Sequence, residues 1–146
     1  MVAGTEGPCI TISHTWTADH GVLAAVAVHT GPVGIDIEAF RPQLMQVAPR
    51  VFTPSELHAV ERRNTVAERD AIRCLIWAAK EAAWKAFGPD LAFKTGIEVL
   101  TFPDDPNRAS LQAVRVGEVE YLFYLHIHFP EVGLALGPVS RAQPRC

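Results

Sequence analysis

Two short segments of this chain combine residue types that can hold a metal ion and a phosphate group. Residues 34–38 (Gly-Ile-Asp-Ile-Glu) have strand character and place two acids, Asp36 and Glu38, on one face, because side chains alternate along a strand. Residues 77–85 have helix character and carry a third acid, Glu81, between two lysines. Clustered carboxylates repel one another unless a cation lies between them, and Mg²⁺ prefers carboxylate and phosphate oxygens as ligands. The two segments therefore predict a site for magnesium and a phosphate.

Each acid also has a simpler explanation. Asp36 and Glu38 could form the solvated acidic face of an edge strand, as on many surface strands. Glu81 could form an ion pair with Lys85, four residues further along an exposed helix face. Taken singly, these residues do not separate chemistry from surface structure, so their order and spacing along the chain must decide.

Further positions could take part, and each has its own alternative. Glu56 stands at the third position of a helix capping box, which explains it without any chemistry. Ser13 and His14 end a predicted strand just before a loop, where a ligand could be met, although a lone histidine is more often structural. His126 and His128 could form a metal pair on one strand face, but the sequence places no third ligand beside them.

Length and composition favour one domain spanning residues 1–146, with loose ends at 1–8 and 140–146. The net charge of −3 gives no indication of nucleic-acid or membrane-surface binding, and the longest apolar stretch, residues 22–28, is too short to cross a bilayer. The cysteines are odd in number, widely spaced and lack a C-x-x-C pair, which favours a reducing cytoplasm over disulfides or zinc. They are Cys9, Cys74 and Cys146.

The elements that must position these residues follow from the hydrophobic pattern. Capping boxes at Thr53 and Thr65 predict two helix starts, and the second helix runs to Phe87, roughly 30 Å. Prolines allow at most a short helix within residues 42–49. Predicted strands are 9–13, 22–29, 33–38, 96–102, 109–114, 119–129 and 132–136. Strands, then helices, then strands predict an α+β fold, an antiparallel sheet packed against a long helix.

The long helix has two different faces at 100° per residue. One face is mostly alanine, which allows close approach to a sheet. The other mixes charges with tryptophans, which predicts that something packs against it. The first face holds Ala71, Ile72, Leu75, Ala78, Ala79, Ala82, Ala83 and Ala86, and the second holds Arg73, Trp77, Lys80, Glu81, Trp84 and Lys85.

Taken in order, the motifs resemble those of the 4′-phosphopantetheinyl transferase superfamily, whose pattern is G-[IV]-D, then F-[ST]-x-x-E, then W/F-x-x-K-E-[AS]-x-x-K. These enzymes move the phosphopantetheine arm of coenzyme A onto a serine of a carrier protein. The matching segments are Ile12-Ser13-His14-Thr15, Val33-Gly34-Ile35-Asp36-Ile37-Glu38, Phe52-Thr53-Pro54-Ser55-Glu56, and Trp77-Ala78-Ala79-Lys80-Glu81-Ala82-Ala83-Trp84-Lys85.

The resemblance implies a role for each motif residue. Asp36, Glu38 and Glu81 would hold Mg²⁺, which also binds the pyrophosphate of coenzyme A. Catalysis would fall to Glu81, to Lys85 at the pyrophosphate and leaving 3′,5′-ADP, and to Glu56, which would orient a water or act as base for the serine hydroxyl. Coenzyme A would also be bound by the side chains of Ser13, His14 and Lys80. Phosphoryl-type transfer depends mainly on positioning and charge neutralisation, which these residue types supply.

The resemblance also implies partners. Acyl or peptidyl carrier proteins are usually acidic around the modified serine, so a docking face with arginines is expected. The family's short type is a homotrimer with sites between subunits, and its long type is a pseudo-dimer of two halves. This chain has the long type's junction motif and Glu38 at near short-type length, which predicts a half-fold that associates as a homodimer or homotrimer. The alternative function is a non-catalytic relative that binds coenzyme A or a carrier. The candidate arginines are Arg41, Arg50, Arg62, Arg63, Arg69 and Arg73.

Overall fold

The computed structural model describes residues 7–19, 21–128 and 131–142 of the chain, and within them the predicted α+β fold is confirmed. Helices and strands follow one another in the expected order. The strands are β1 Cys9–Thr17, β2 Gly21–His29, β3 Gly34–Ala39, β4 Ile97–Val99, β5 Ser110–Val116, β6 Val119–His128 and β7 Val132–Arg141; the helices are α1 Gln43–Val51, α2 Pro54–Glu61 and α3 Val66–Phe87.

Five strands form an antiparallel sheet in the order β3-β7-β6-β5-β4, and α3 packs across one of its faces. Close approach is possible because the helix turns small residues toward the sheet. A Cβ added to Gly34 would overlap the carbonyl oxygen of Ala82, and one added to Gly133 would lie 2.8 Å from the Cys74 sulfur. The alanine face predicted from the sequence is thus the face that meets the sheet, and it brings α3 directly over Asp36 and Glu38.

Both predicted capping boxes are present. The Thr53 side chain accepts from the amide of Glu56, whose carboxylate accepts from the amide of Thr53, and Thr65 and Glu68 repeat the arrangement at the start of α3. The long helix ends at Gly88, which has a φ of +98°. The prediction for residues 42–49 was too short, since α1 continues through Pro49 to Val51.

The first two strands form a separate antiparallel hairpin, so the single predicted sheet is in fact two. β1 lies beside the free edge of β3 without a main-chain ladder between them. Instead, hydroxyl groups of β1 accept hydrogen bonds from every second amide of β3. The three bonds, to Thr11, Ser13 and Thr15, are 3.4, 3.1 and 3.2 Å long, and their donors are the amides of Ile35, Ile37 and Ala39. Side-chain hydroxyls thereby satisfy an edge that would otherwise stay unpaired.

The outer face of this hairpin, formed by β1 and β2, is apolar and exposed. Six large apolar side chains project from it, each between 58% and 68% exposed, and His14 lies among them opposite Ala24. Strand alternation turns the threonines and serine toward β3 and leaves these side chains on the other side. They are Ile10, Ile12, Trp16, Val22, Val26 and Val28.

Several predicted limits were wrong. β1 continues to Thr17, so residues 15–17 are strand rather than loop, because pairing with β2 runs to the turn. β4 covers only Ile97–Val99 of the predicted 96–102. β7 extends to Arg141, which includes residues predicted to be loose, while 1–6, 129 and 143–146 lie outside the described part of the chain.

Among the helices of the described residues, none is long and apolar enough to cross a membrane. Cys9 and Cys74 are both free thiols, the first exposed and the second buried.

Candidate functional site

Asp36 lies at the centre of the candidate site, on β3 at the edge nearest the hairpin. One of its oxygens, Oδ1, accepts hydrogen bonds from the Ser13 hydroxyl and from the Lys85 ammonium, both at 3.0 Å. The other oxygen, Oδ2, is buried without a hydrogen-bond partner among the described residues. Burial raises the pKa of Asp36 above its ordinary value, although Lys85 and Ser13 act in the lowering direction. A buried carboxylate oxygen that accepts no hydrogen bond can still bind a cation.

Glu38 stands two residues further along β3, on the same face as Asp36, as strand alternation predicts. Its carboxylate pairs with Arg41 at 2.6 Å, and its backbone carbonyl accepts from the Cys74 thiol at 3.0 Å. Burial raises the pKa of Glu38; Arg41 lowers it, the charge of Asp36 raises it, and Trp77 acts in the lowering direction. The charge of Asp36 therefore disfavours the charge of Glu38, while Arg41 lowers the pKa of both acids.

Glu81 reaches this pair from the middle of α3. Its pKa is raised, first by burial and then by the charge of Asp36, with Glu38 adding to the effect and Lys85 opposing it. Three carboxylates from two elements thus share one electrostatic environment. In the described part of the chain, no group of three acidic, histidine or cysteine side chains is arranged to ligate one metal ion. Glu38 is paired with Arg41 instead, and Asp36 is paired with Lys85.

Lys85 lies one turn beyond Glu81 and joins three elements at once. Its ammonium donates to Asp36 Oδ1 at 3.0 Å, to the carbonyl of Ile35 at 3.0 Å and to the carbonyl of Ile12 at 3.4 Å. The side chain keeps 26% of its surface exposed. The helix thus holds a cation against the acids, at a position that an approaching anion can reach.

Glu56 and Lys80 do not lie in this site, which corrects the roles predicted for them. Both are fully buried and form an ion pair at 2.8 Å. The Glu56 carboxylate also accepts from the amides of Thr53 and Val99, and the Lys80 ammonium donates to the carbonyls of Lys94 and Ile97. Every polar atom of the pair is in use and neither side chain is exposed, so neither Glu56 nor Lys80 reaches the acids around Asp36 or an incoming substrate.

The sequence places Lys80 on the charged face of the helix, against which something is predicted to pack, but it does not show that this packing buries Lys80 completely. In the structure α3 is covered by the sheet on one side and by α2 and the segment leading into β4 on the other. Burial lowers the pKa of Lys80, and the partner Glu56 opposes that effect. The ion pair fixes α2, α3 and β4 relative to one another.

Ser13 and His14 lie on opposite faces of β1, so they cannot both bind one ligand from the end of the strand. Ser13 is buried, with its hydroxyl bonded to Asp36 and to the amide of Ile37. His14 is exposed on the apolar face of the hairpin. Neither residue is at a strand end, because β1 continues to Thr17. Ser13 therefore orients Asp36, while His14 faces whatever covers the hairpin.

The histidine pair on β6 gains no further ligand. The rings of His126 and His128 are 5.5 Å apart and nearly perpendicular, and His126 also packs edge-on against Tyr124. Burial lowers the pKa of His126, and His128 adds to the effect. No cluster of three metal-ligating side chains is found in residues 7–19, 21–128 and 131–142, so the pair remains without the third ligand that a metal site would need.

Sequence reasoning missed the supporting residues of the site. Arg41 was considered only for docking, yet it pairs with Glu38. Trp77 was expected to meet an unknown partner, and it lies beside Glu38 and packs on Phe93 at 5.5 Å between ring centroids. The alternation of hydroxyl residues at 11, 13 and 15 was a visible signal for the contact with β3.

The residues present fit a divalent cation. Asp36, Glu38 and Glu81 supply hard oxygen atoms from a rigid strand and helix, and all three have raised pKa values that a nearby cation would reverse. The unpartnered Oδ2 of Asp36 is the atom whose burial is otherwise unexplained. Together with Lys85, such a cation could neutralise a phosphate group held at the edge of β3.

Comparison with known proteins gives two findings. The family model of the 4′-phosphopantetheinyl transferase superfamily matches residues 32–132. A 4′-phosphopantetheinyl transferase of Bacillus subtilis is 28% identical over 98 residues, which make up 67% of this chain and 43% of that protein. The match to this relative therefore spans less than half of its length. The family-model match contains the strand, capping and helix motifs around Asp36, Glu56 and Glu81.

Proposed function

Since the chain belongs to the 4′-phosphopantetheinyl transferase superfamily, we propose that it transfers the 4′-phosphopantetheine arm of coenzyme A to a serine of an acyl or peptidyl carrier protein in a Mg²⁺-dependent reaction. The serine oxygen forms the new bond to phosphorus, the bond between that phosphorus and 3′,5′-ADP breaks, and the serine proton is taken up by the enzyme. This makes the protein an enzyme of the holo-acyl-carrier-protein synthase type, with coenzyme A as co-substrate.

The observation that carries this proposal is the cluster of Asp36, Glu38 and Glu81 beside Lys85. A metal ion held by the three acids would neutralise negative charge on the pyrophosphate of coenzyme A. It would also stabilise the negative charge that develops on the leaving group. Lys85 supplies further positive charge on the exposed side of the same cluster. Charge neutralisation and positioning are what phosphoryl-type transfer requires most.

The remaining residues of the chain divide between proton transfer and orientation. Glu81 has no hydrogen-bonded side-chain partner among the described residues, so one of its oxygens can ligate the metal while the other receives the serine proton. Ser13 fixes Asp36 by donating to Oδ1, and Arg41 holds Glu38. Glu56 and Lys80 stabilise the helix that carries Glu81.

We expect a carrier protein to dock beside α1. A cleft of about 290 Å³ lies next to the Glu38–Arg41 pair, and it is lined by four apolar side chains, by Arg41 and Arg73, and by the acids Asp70 and Glu131. Arg73 is paired with Asp70 at 2.7 Å. Met45 on the rim is 59% exposed. An acidic helix of a carrier would find apolar contact there, and it would have to replace Glu38 and Asp70 as partners of the two arginines. The cleft lies close to the cluster where the carrier serine must arrive.

Self-association is supported by the apolar outer face of the hairpin. Its six large apolar side chains lie side by side and are each more than half exposed, and a contiguous exposed apolar patch marks an interaction surface. We propose that a second copy of the chain covers this face, forming a dimer or trimer. Because the same hairpin supplies Ser13 to Asp36, covering it would also hold the site in place.

Intact-protein mass spectrometry tests the proposed reaction. A purified apo carrier protein incubated with this chain, coenzyme A and Mg²⁺ should gain the mass of one phosphopantetheine, and EDTA should prevent the gain. Binding of coenzyme A without any mass gain across several carriers would favour the non-catalytic alternative instead.

A further inference from the structure

Lys85 occupies the place where a metal ion would be expected to bind. Of the acids in the cluster, Asp36 carries the buried, unpartnered Oδ2, and its other oxygen is held by the ammonium of Lys85 at 3.0 Å. Two backbone carbonyls, those of Ile35 and Ile12, complete the surroundings of that ammonium. The set of one carboxylate and two carbonyl oxygens resembles the oxygen-rich environment of a hard cation.

From this geometry we propose that Lys85 is the built-in counter-ion of the acid cluster, and that it competes with Mg²⁺ for Asp36. The inference rests on the proposed function for the identity of the metal. In the metal-free protein the ammonium neutralises Asp36 and links α3 to β1 and β3. When the metal binds, Lys85 must release Asp36, which frees its ammonium for the phosphate of the ligand.

Competition follows because a metal ion at the open Oδ2 of Asp36 would share one carboxylate with the Lys85 ammonium on Oδ1. Oδ1 of Asp36 already accepts from both Ser13 and Lys85, so a cation that uses this carboxylate gains most when the lysine leaves. Two cations sharing one carboxylate also repel each other in a partly buried place, where charges are screened less than in water. The ion pair between Lys85 and Asp36 stabilises the metal-free site and therefore weakens the affinity for the metal.

Because both ligands draw Lys85 away from its place on Asp36, metal and phosphate should assist each other's binding. A bound phosphate group attracts the exposed part of the lysine away from Asp36, and Asp36 is then free for the metal. Reciprocally, the metal displaces the lysine toward the phosphate. Such coupling must be equal in both directions.

Isothermal titration calorimetry of metal-free protein with Mg²⁺ tests the proposal. Lys85→Met should bind Mg²⁺ about tenfold more tightly than the wild-type chain. In the wild type the hydrogen-bonded ion pair between Lys85 and Asp36 must first be broken, and a hydrogen bond to a charged group of ordinary strength accounts for a factor of this size. Lys94→Met is the matched control, because the Lys94 side chain is exposed and its ammonium donates only to the carbonyl of Pro49 among the described residues. The Mg²⁺ affinity of this variant should equal that of the wild type. Lys85→Gln serves as the second variant should methionine impair folding.

A second titration measures the coupling. Saturating coenzyme A should tighten Mg²⁺ binding in the wild-type chain and should do so much less in Lys85→Met. A purely structural Lys85 would lower the thermal stability of the variant without tightening Mg²⁺ binding, and that result would overturn the proposal.

The outcomes separate this proposal from the proposed function. Transfer by the wild-type chain with equal or weaker Mg²⁺ binding in Lys85→Met would refute the competition and leave the function standing. Tighter Mg²⁺ binding in Lys85→Met without transfer by the wild type would support the competition and refute the function. Failure of all variants to bind Mg²⁺ would refute the metal site and both proposals with it.

Discussion

Asp36, Glu38 and Glu81 each carry a charge in a place where burial disfavours it, and all three have raised pKa values. The unfavourable burial of charge is offset differently for each acid. Lys85 and Ser13 bind Asp36, and Arg41 binds Glu38, whereas Glu81 has only the charge of Lys85 in its favour. The acids therefore cost folding free energy at neutral pH, which is common where a fold supports a binding site.

The cost at Glu81 predicts a pH dependence in the presence of EDTA. A raised pKa means that ionisation of Glu81 destabilises the folded state. The favourable contribution of the protonated form is present at low pH and is lost as the pH rises through the raised pKa. Glu81→Gln should therefore be more stable than the wild-type chain at pH 7.5, by less than about 1 kcal/mol because the side chain is only partly buried. Urea unfolding measures the difference.

Near the ordinary pKa of glutamate, about 4.3, the same two chains should have nearly equal free energies of unfolding. A variant that is less stable than the wild type at pH 7.5 would contradict the assignment of an unfavourable charge to Glu81.

The buried pair of Glu56 and Lys80 gives a second prediction. Lys80→Met leaves the Glu56 charge buried without its partner and should cost about 3–5 kcal/mol in the free energy of unfolding. The double variant Glu56→Gln, Lys80→Met should recover part of that loss. Equal destabilisation in the single and double variants would show that the charge interaction is unimportant. Transfer activity measured under conditions where both variants are folded should persist, because neither side chain reaches the site.

The residues of the acid cluster could be predicted from the sequence, while the fate of Glu56 and Lys80 could not. Residue types and spacing indicate which side chains share a strand or helix face, and they placed Asp36, Glu38 and Glu81 together. They do not show which neighbouring elements cover a helix. Lys80 is adjacent to Glu81 in the chain and points into the interior because α2 and β4 cover that side.

Among the elements, the contact of α3 with β3 matters most for the site. Small residues on both sides let the helix approach until Gly34 touches the backbone of Ala82. The alanine pattern predicted this face and the capping boxes predicted the helix starts, since both depend on local sequence. The hydroxyl contacts between β1 and β3 depend on which strands become neighbours, and the pattern alone did not reveal them.

Close packing at this contact predicts the effect of adding one methyl group. Gly34→Ala should lower the free energy of unfolding by at least about 2–3 kcal/mol, because α3 or β3 must move to admit the Cβ. Gly31→Ala is the control, since its nearest neighbour would be a histidine side-chain atom at 3.5 Å. Chemical unfolding of both variants gives the comparison, and equal stabilities would mean that the helix is not held against the strand as described.

At the scale of the whole molecule, the exposed apolar hairpin is the feature that most needs a partner. A two-stranded hairpin is seldom stable with one apolar face in water, and the match to the Bacillus subtilis relative covers less than half of that protein. An exposed apolar face cannot be distinguished from a buried one by alternation alone. Only the placement of β1 against β3 shows which side remains open.

Light scattering at micromolar concentration tests the proposed association. The wild-type chain should have the mass of a dimer or trimer, and Trp16→Glu should shift it toward the monomer, because a charge would be buried in an apolar contact. Leu111→Glu is the matched control: Leu111 is 49% exposed but lies on β5, outside the hairpin. A monomeric wild-type chain would contradict the proposal.

The central claim, that the acid cluster on β3 and α3 performs the transfer, is tested most directly by mass spectrometry of the carrier protein with two variants. Glu81→Gln should retain the fold and lose transfer by at least about a hundredfold, as expected when one group that stabilises developing charge is removed. Glu61→Gln, which changes an exposed acid at the end of α2, should transfer at the wild-type rate. Unchanged transfer by Glu81→Gln would contradict the account.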